Sequence, residues 1–223
     1  MRNAHHGSRK WSIIIASTVC VSLIAIVVAG WLYYVKTQQP QPITYDTNDP
    51  VARQEVEGRE EVVVAPAVQA EYKVAADMPR MLSIESIGVN ARVLPMGVNP
   101  DNSLQAPVNI YDSGWYDGSA KPGQPGAALI DAHASGPTRQ GLFAYLDTMQ
   151  KGDRVKLERG DGEMLEYEVV AVETTALDTV DMQKVLKPYG DATEGLNLIT
   201  CTGKWLQQQR TYNQRAIVYT QRV

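Results

Sequence analysis

An uncharged apolar segment near the N-terminus places the strongest constraint on the fold of this chain. The segment runs from Trp11 to Val35 (WSIIIASTVCVSLIAIVVAGWLYYV) without a charged residue. As a helix it is long enough to cross the ~30 Å hydrocarbon core of a bilayer. A cleaved secretory signal is the competing interpretation, with Val28 and Gly30 framing a cleavage site, but the apolar stretch is too long for the core of such a signal. The sequence therefore predicts a transmembrane helix over residues 11–35.

Basic residues flank this segment unequally. Arg2, Arg9 and Lys10 precede it, whereas only Lys36 follows closely. The positive-inside rule then makes residues 1–10 a cytoplasmic tail and places the chain after Lys36 outside the cell. Aromatic residues at both ends of the segment fit the two interfacial belts of a membrane helix: Trp11, Trp31, Tyr33 and Tyr34. We expect a single-pass protein of the cell membrane with an extracytoplasmic domain.

Residues 36–76 have the composition of an extracytoplasmic linker. Prolines recur along this stretch, the charged run RQEVEGREE lies between them, and no helical or strand period is sustained. The run EVVVAPAV (61–68) could form a short strand, but Pro66 interrupts it. We therefore predict a linker over 36–76 and a folded domain over 77–223.

The folded domain is predicted to be mainly β. The segment ERGDGEMLEYEV has the best hairpin signal, because Gly160, Asp161 and Gly162 supply turn geometry. Two short helices are predicted, in GLFAYLDTMQ (141–150) and DTVDMQKVL (178–186). Short β-type runs separated by Gly, Pro, Asn and Asp occur at intervals typical of a barrel or sandwich: RMLSIESIGV, ARVLPMGV, GAALIDAH, DRVKLER, MLEYEVVAVET, LNLITC and RAIVYTQRV.

The chain has two cysteines in very different settings. Cys20 lies in the predicted membrane helix, whereas Cys201 ends the strand-like run LNLITC beyond a linker. A disulfide between them is geometrically implausible. Cys201 is therefore predicted to be an unpaired extracytoplasmic thiol, which is a liability in an oxidising compartment unless the thiol has a use.

Histidine is also scarce, with three residues in the chain. His5 and His6 lie in the predicted cytoplasmic tail, which leaves His133 at the end of the run GAALIDAH. His133 and Cys201 both stand where a strand becomes a loop, and in a barrel two such ends can face one another. A thiol beside an imidazole can ionise near neutral pH, whereas a free cysteine has a pKa of about 8.5. The alternative is a histidine bonded only to the backbone.

Attack of a thiolate on a carbonyl creates an oxyanion, which arginine can stabilise with directed N–H donors. Arg215 opens the final strand RAIVYTQRV, immediately after the loop that follows Cys201, and is the first candidate. Arg210 lies within that loop and is the alternative, whereas Arg222 is too near the chain end. The net charge of −4 gives no indication of nucleic-acid binding.

From Pro79 to Val223 the sequence resembles the sortases, membrane-anchored cysteine transpeptidases of Gram-positive-type envelopes. The resemblance is carried by the motifs PRMLSIESIGV, SGWYDGSAKPGQPGAALIDAH, GLFAYLDTMQKGDRV, YEV and LITC. The family pattern Thr-Leu-x-Thr-Cys is matched at Leu198, Thr200 and Cys201, with Asn197 in place of the first threonine. The residue before the histidine is commonly glycine in the family, and it is Ala132 here.

The resemblance implies an eight-stranded sortase-type β-barrel with short helices. It further implies Cys201 as the nucleophile, His133 as general acid and base, Arg215 as the group that positions substrate and stabilises the oxyanion, and Thr200 as a substrate contact. Such enzymes cleave a C-terminal sorting signal similar to Leu-Pro-x-Thr-Gly between Thr and Gly through a thioester. They transfer the surface protein or pilin to an amine, such as a peptidoglycan precursor or a pilin lysine.

The loop from Thr174 to Gly195 would form the wall that reads the sorting signal. It contains no acidic cluster with calcium-loop spacing, so we predict no required metal and no cofactor. An L,D-transpeptidase is an alternative, but its nucleophile lies in a Ser-His-Gly-Cys setting, unlike Leu198 to Thr200. A non-enzymatic surface-binding barrel is the other alternative, and it leaves the thiol of Cys201 unexplained.

Overall fold

The computed structural model describes Val28, Gly30 and residues 61–223. The predicted membrane helix over 11–35 lies outside the described residues apart from Val28 and Gly30, and most of the predicted linker lies outside them as well. No helix among the described residues is long and apolar enough to span a bilayer. The transmembrane helix and the domain boundaries therefore stay predictions.

Eight strands of the described chain form a closed barrel in the order β1-β2-β3-β4-β7-β8-β6-β5. Pairing of β5 with β1 closes the sheet, so the barrel has no free edge. The eight-stranded barrel predicted from the sequence is confirmed. The strands are β1 (Pro79–Ile84), β2 (Val89–Met96), β3 (Ser113–Tyr116), β4 (Gly126–Asp131), β5 (Arg154–Arg159), β6 (Met164–Ala176), β7 (Glu194–Leu206) and β8 (Thr211–Arg222).

Side chains alternate between the two faces of these strands, as the period of two requires. On β4, Ala128 and Ile130 belong to the main core inside the barrel, whereas Leu129 packs in a second cluster on the outside. The same alternation puts Leu198 of β7 inside and Ile199 outside. Odd-numbered positions in the second half of β4 and in the middle of β7 therefore lie on the outer face of the barrel.

The hairpin predicted at residues 158–169 joins β5 and β6. Gly162 adopts φ +86°, a left-handed conformation that favours glycine, and Arg159 pairs with both Asp161 and Glu163 across the turn. This local chemistry is what the sequence signalled, and the prediction of a hairpin is confirmed.

The helix predicted over 141–150 is wrong in extent, since the structure has only the 3-10 turn Leu146–Thr148 there. The first N–H groups of the segment are used elsewhere, because Leu142 donates to the carbonyl of Ile110 and Phe143 to that of His133. Of the side chains that suggested a helix, Leu146 and Met149 are buried in the barrel core and Leu142 packs against it, whereas Tyr145 is exposed.

The helix predicted over 178–186 is present as α2 (Met182–Val185), preceded by the 3-10 turn Leu177–Thr179. Asp181 caps α2, with its carboxylate accepting hydrogen bonds from the N–H groups of Gln183 and Lys184. A further 3-10 turn, Glu85–Ile87, joins β1 to β2.

Residues 61–76, which the sequence assigned to the linker, pack against the barrel. They contain the helix α1 (Pro66–Glu71) rather than a strand, with proline in its first turn, where a missing N–H is tolerated. Val64 and Val68 are buried, and the Tyr72 hydroxyl donates to the carbonyl of Val93. This part of the chain therefore contributes to the stability of the domain.

We expect the fragment 77–223 to be less stable than the fragment 61–223. Deleting residues 61–76 removes the burial of Val64 and Val68 against the domain, which contributes about 3 kcal/mol at roughly 1.5 kcal/mol for each side chain. At roughly 2–4 °C per kcal/mol, this corresponds to a Tm lower by about 6–12 °C. Thermal unfolding of the two fragments measures the difference, and equal Tm values would show that residues 61–76 do not stabilise the barrel.

Candidate active site

Strand register brings together the cysteine, the histidine and the arginine singled out by the sequence. Asp131 on β4 pairs with Ile199 on the parallel strand β7, so His133 and Cys201 follow at corresponding positions two residues later. Cys201 pairs directly with Arg215 on the antiparallel strand β8. The three residues thus occupy one level across three neighbouring strands.

All three side chains lie on the outer face of the barrel and line one groove. Side chains on the same face of neighbouring strands have Cβ atoms roughly 4.5–5.5 Å apart. His133 and Arg215 therefore flank Cys201 from opposite sides, which is an arrangement that can activate a thiol and bind a developing oxyanion.

His133 is held through its ring and through its main chain. Its Nε2 lies 2.8 Å from the main-chain oxygen of Pro107, and since a carbonyl oxygen can only accept, Nε2–H is the donor. In the neutral ring Nδ1 is then unprotonated and can accept a proton. The N–H of Phe143 donates to the His133 carbonyl, and the buried Arg92–Asp112 ion pair anchors the segment that carries Pro107.

Gly141 allows the chain to pass close to His133. A Cβ built on Gly141 would overlap the main-chain carbonyl of His133. The N–H of Gly141 donates a hydrogen bond to the carbonyl of Ala134. A side chain at this position must therefore move the histidine.

We expect Gly141→Ala to lower kcat/KM by about 10²-fold, since a displacement of about 1 Å in a catalytic group can have that effect. Gly97→Ala is the matched control, because a Cβ there would meet its nearest neighbour, Gln105, at an ordinary 3.5 Å. Steady-state kinetics on both variants check the prediction, and equal rates would mean that His133 is not held through Gly141.

Cys201 is half-buried and forms no disulfide with any described residue. The next residue of β7, Thr202, donates its hydroxyl to Asp147 at 3.1 Å, which ties the strand beside the cysteine to the 3-10 turn Leu146–Thr148. The thiol is thus accessible while its main chain is fixed in the sheet.

Arg215 is anchored by its loop, and Arg210 is not. One Arg215 nitrogen, Nη1, donates to the carbonyls of Tyr212 and Gln214, and Nη2 donates to Thr211 Oγ1. Arg210 is exposed at the tip of the β7–β8 hairpin, with φ +50°. Arg210 lines a second groove that also reaches Cys201, so both candidate arginines border the thiol from different sides.

Thr200 lines the same groove as Cys201, but its hydroxyl is already engaged. Thr200 is buried and Oγ1 donates to the Ala132 carbonyl at 2.7 Å. This bond holds the chain that follows β4 against the middle of β7, beyond the last ladder pair of the two strands. It gives Thr200 a structural task beside the predicted substrate contact.

The groove beside Cys201 has a cavity volume of about 570 Å³ and mostly apolar walls. Part of one wall comes from the segment between β6 and β7, through Val180, Met182 and Leu186. Asn197, which stands in place of the threonine of the family pattern, is fully buried beneath this wall and donates to the carbonyls of Val185 and Lys187. The wall is thereby fixed to the cysteine strand.

The second groove extends from the other side of His133 and Cys201, with a cavity volume of about 690 Å³. Trp205 and Tyr212 meet edge to face in its lining, with ring centroids 5.3 Å apart. The Tyr212 hydroxyl lies 2.7 Å from Ser135 Oγ, which links the β7–β8 hairpin to the loop after the histidine.

Asp131 is a groove residue that the sequence reasoning missed. It ends β4 two residues before His133, and it is the one acidic residue among the described residues that line the first groove. Burial raises the pKa of its carboxyl from 3.8 to about 7. The signal that could have identified it in the sequence is the single acidic residue in the otherwise apolar run GAALIDAH.

Among residues 61–223, no group of three or more His, Cys, Asp or Glu side chains is arranged to hold a metal ion. The absence of a required metal stays a prediction.

A family profile described as Sortase domain matches residues 82–223. A search of curated proteins finds no match to the sequence. Among solved structures, sortase A of Corynebacterium diphtheriae, as a lid mutant, is 23% identical, with 66% of this chain and 70% of that chain covered and a TM-score of 0.50.

Two structures from Group B Streptococcus are similar to the same degree. The pilus-related sortase C is 21% identical with a TM-score of 0.50, over 73% of this chain and 74% of that one. The sortase C2 of pilus island 1 is also 21% identical with a TM-score of 0.50, over 72% of this chain and 81% of that one. At these identities the structural likeness establishes a shared fold.

Proposed function

This chain belongs to the sortase family, and from that premise we propose that it is a membrane-anchored cysteine transpeptidase acting on C-terminal sorting signals. Its substrates would be surface proteins or pilins that carry a signal similar to Leu-Pro-x-Thr-Gly. The family and the barrel fold support a transpeptidase. The sequence of the signal and the identity of the acceptor belong to the proposal.

In the first half of the proposed reaction, the Cys201 thiolate attacks the carbonyl carbon of the signal threonine. Arg215 donates hydrogen bonds to the resulting oxyanion. His133, protonated at this stage, gives its proton to the nitrogen of the departing glycine as the C–N bond breaks. The products are a thioester on Cys201 and a free peptide that begins with glycine.

In the second half, a primary amine attacks the thioester carbonyl and His133 accepts the proton that this amine loses. The C–S bond breaks, a new amide bond forms, and the thiolate of Cys201 is restored. A thioester reacts with amines more readily, relative to water, than an oxygen ester does, so a thiol suits transfer over hydrolysis.

The observation that carries the proposal is the register of β4, β7 and β8, with His133 and Arg215 on either side of Cys201. Two grooves meet at Cys201 and His133, which suits a reaction with two substrates. We assign the sorting signal to the first groove and the amine to the second.

Pilus-related sortases are among the similar structures, which supports pilins as substrates; the amine would be a pilin lysine or a peptidoglycan precursor. The predicted membrane helix over 11–35, with its basic N-terminal flank, would hold the domain on the extracytoplasmic side. The domain would then encounter both the protein substrate and the amine acceptor at the extracytoplasmic face of the membrane.

Mass spectrometry of reactions containing the domain, signal peptides and a panel of amines tests the proposed function. We expect a product in which the peptide up to threonine is joined to the amine. Cleavage of the peptide without transfer to any of the amines would identify a hydrolase. The absence of any reaction with a broad peptide panel would favour a non-enzymatic binding barrel.

A further inference from the structure

The Asp131 carboxyl lies in the first groove without a partner from the rest of the described chain. Burial raises its pKa, and the hydrogen bond of its own backbone is the only opposing influence. An ionisable group at a partly buried position is costly unless it is paired or protonated, so an unpaired one calls for an explanation.

The fold makes room for this carboxyl. Asp131 pairs with Gly114 of β3, and a Cβ on Gly114 would lie 2.7 Å from Asp131 Oδ1. The same Cβ would lie 3.2 Å from Pro107, whose carbonyl receives the His133 ring N–H. The carboxyl is therefore accommodated next to the segment that positions the histidine.

Distance along the strand relates Asp131 to the cleaved bond. Residues two apart on a strand are about 6.6 Å apart, so Asp131 lies one such step from the level of His133 and Cys201. An extended peptide that runs from Cys201 along the first groove passes the level of Asp131 within the three residues that precede its threonine.

We propose that Asp131 is a specificity-determining residue that selects a lysine or arginine side chain in the part of the sorting signal that precedes the threonine. This inference rests on the proposed function. A cationic head would pair with the carboxylate, and its methylene stem would lie along apolar wall residues such as Leu104 and Met182. No other described acidic residue lines this groove, so the selection depends on Asp131.

Two sets of measurements test the inference. Peptides carry lysine, methionine or glutamate at each of the three positions before the threonine and are cleaved by the wild type, Asp131→Asn and Asp131→Lys. We expect the wild type to prefer lysine over methionine by about 10- to 100-fold in kcat/KM at one position, the range of a charge-assisted hydrogen bond.

Asp131→Asn is expected to remove this preference while retaining cleavage of the methionine peptide, and Asp131→Lys is expected to favour glutamate instead. The matched control is Asp191→Asn, an exposed residue outside the groove lining, which should keep the lysine preference. Cleavage without a lysine preference, or a preference that survives in Asp131→Asn, overturns the inference and leaves the proposed function intact. If the wild type cleaves none of the peptides, that result instead counts against the proposed function.

The second measurement is thermal unfolding without peptide, which has a readout independent of activity. Because the folded pKa of Asp131 is raised, its ionisation destabilises the fold progressively as pH rises from about 4 through about 7. Asp131→Asn should therefore have a higher Tm than the wild type at pH 8 and a similar Tm at pH 4. The other titratable or charged residues lining the groove, which both proteins share, are Tyr116, His133, Cys201 and Arg215.

A Tm of Asp131→Asn below that of the wild type at pH 8 would show that the carboxylate already has a partner in the free protein. That result would overturn the premise that a substrate cation supplies the missing charge.

Discussion

Replacing Cys201 with alanine is expected to abolish both cleavage and transfer. The thiol would be the atom that forms the covalent intermediate, and no other described residue at the meeting point of the two grooves is a cysteine. Removing one half-buried sulfur leaves little cavity, so the free energy of unfolding should stay within about 1–2 kcal/mol of the wild type.

Peptide turnover and denaturant unfolding of Cys201→Ala check this expectation together. A folded variant without activity supports the assignment of the nucleophile. Residual turnover well above background would mean that another residue forms the acyl intermediate.

Replacing Arg215 with alanine is expected to lower kcat/KM by about 10²–10³-fold or more, the effect of removing one oxyanion donor. Arg215 pairs with Cys201 across the sheet and three of its hydrogen bonds fix the guanidinium to the hairpin. A donor already fixed where charge develops stabilises a transition state better than a mobile one. Arg215→Lys should also be impaired, because the planar fork of donors is lost.

Arg210→Ala is the matched comparison, since Arg210 also borders a groove that reaches Cys201. It is exposed, so we expect a loss of roughly tenfold or less through substrate contact or loop ordering. Kinetics with one peptide rank the two alanine variants. The reverse ranking would transfer the oxyanion role to Arg210.

The barrel and the meeting of Cys201 with His133 could be predicted because each depends on a pattern local to a strand. Alternating runs separated by turn residues specified the strands. The predicted strand end at Cys201 is wrong, because β7 continues to Leu206, whereas His133 does follow the end of β4 at Asp131. Parallel pairing of β4 with β7 brings the two residues to one level. The hairpin at Gly162 was equally local, since the turn chemistry lies within a few residues.

Features that depend on contacts between distant segments could not be predicted in the same way. The helical period of 141–150 was real, but N–H groups of this segment bond to His133 and Ile110 instead. Burial of Val64 and Val68 depends on the outer surface of the barrel, which no pattern in residues 61–76 reveals. The main-chain contact of Pro107 with the histidine ring leaves no mark on the sequence at all.

The central claim is that Cys201 carries the substrate as a thioester, and intact mass spectrometry of the enzyme mixed with a cleavable signal peptide and no amine tests it most directly. We predict an added mass equal to the acyl part of the peptide up to threonine, mapped to Cys201 by proteolysis and removed by hydroxylamine. An adduct on another residue, or turnover of the peptide without any adduct at Cys201 under rapid quenching, would contradict the claim.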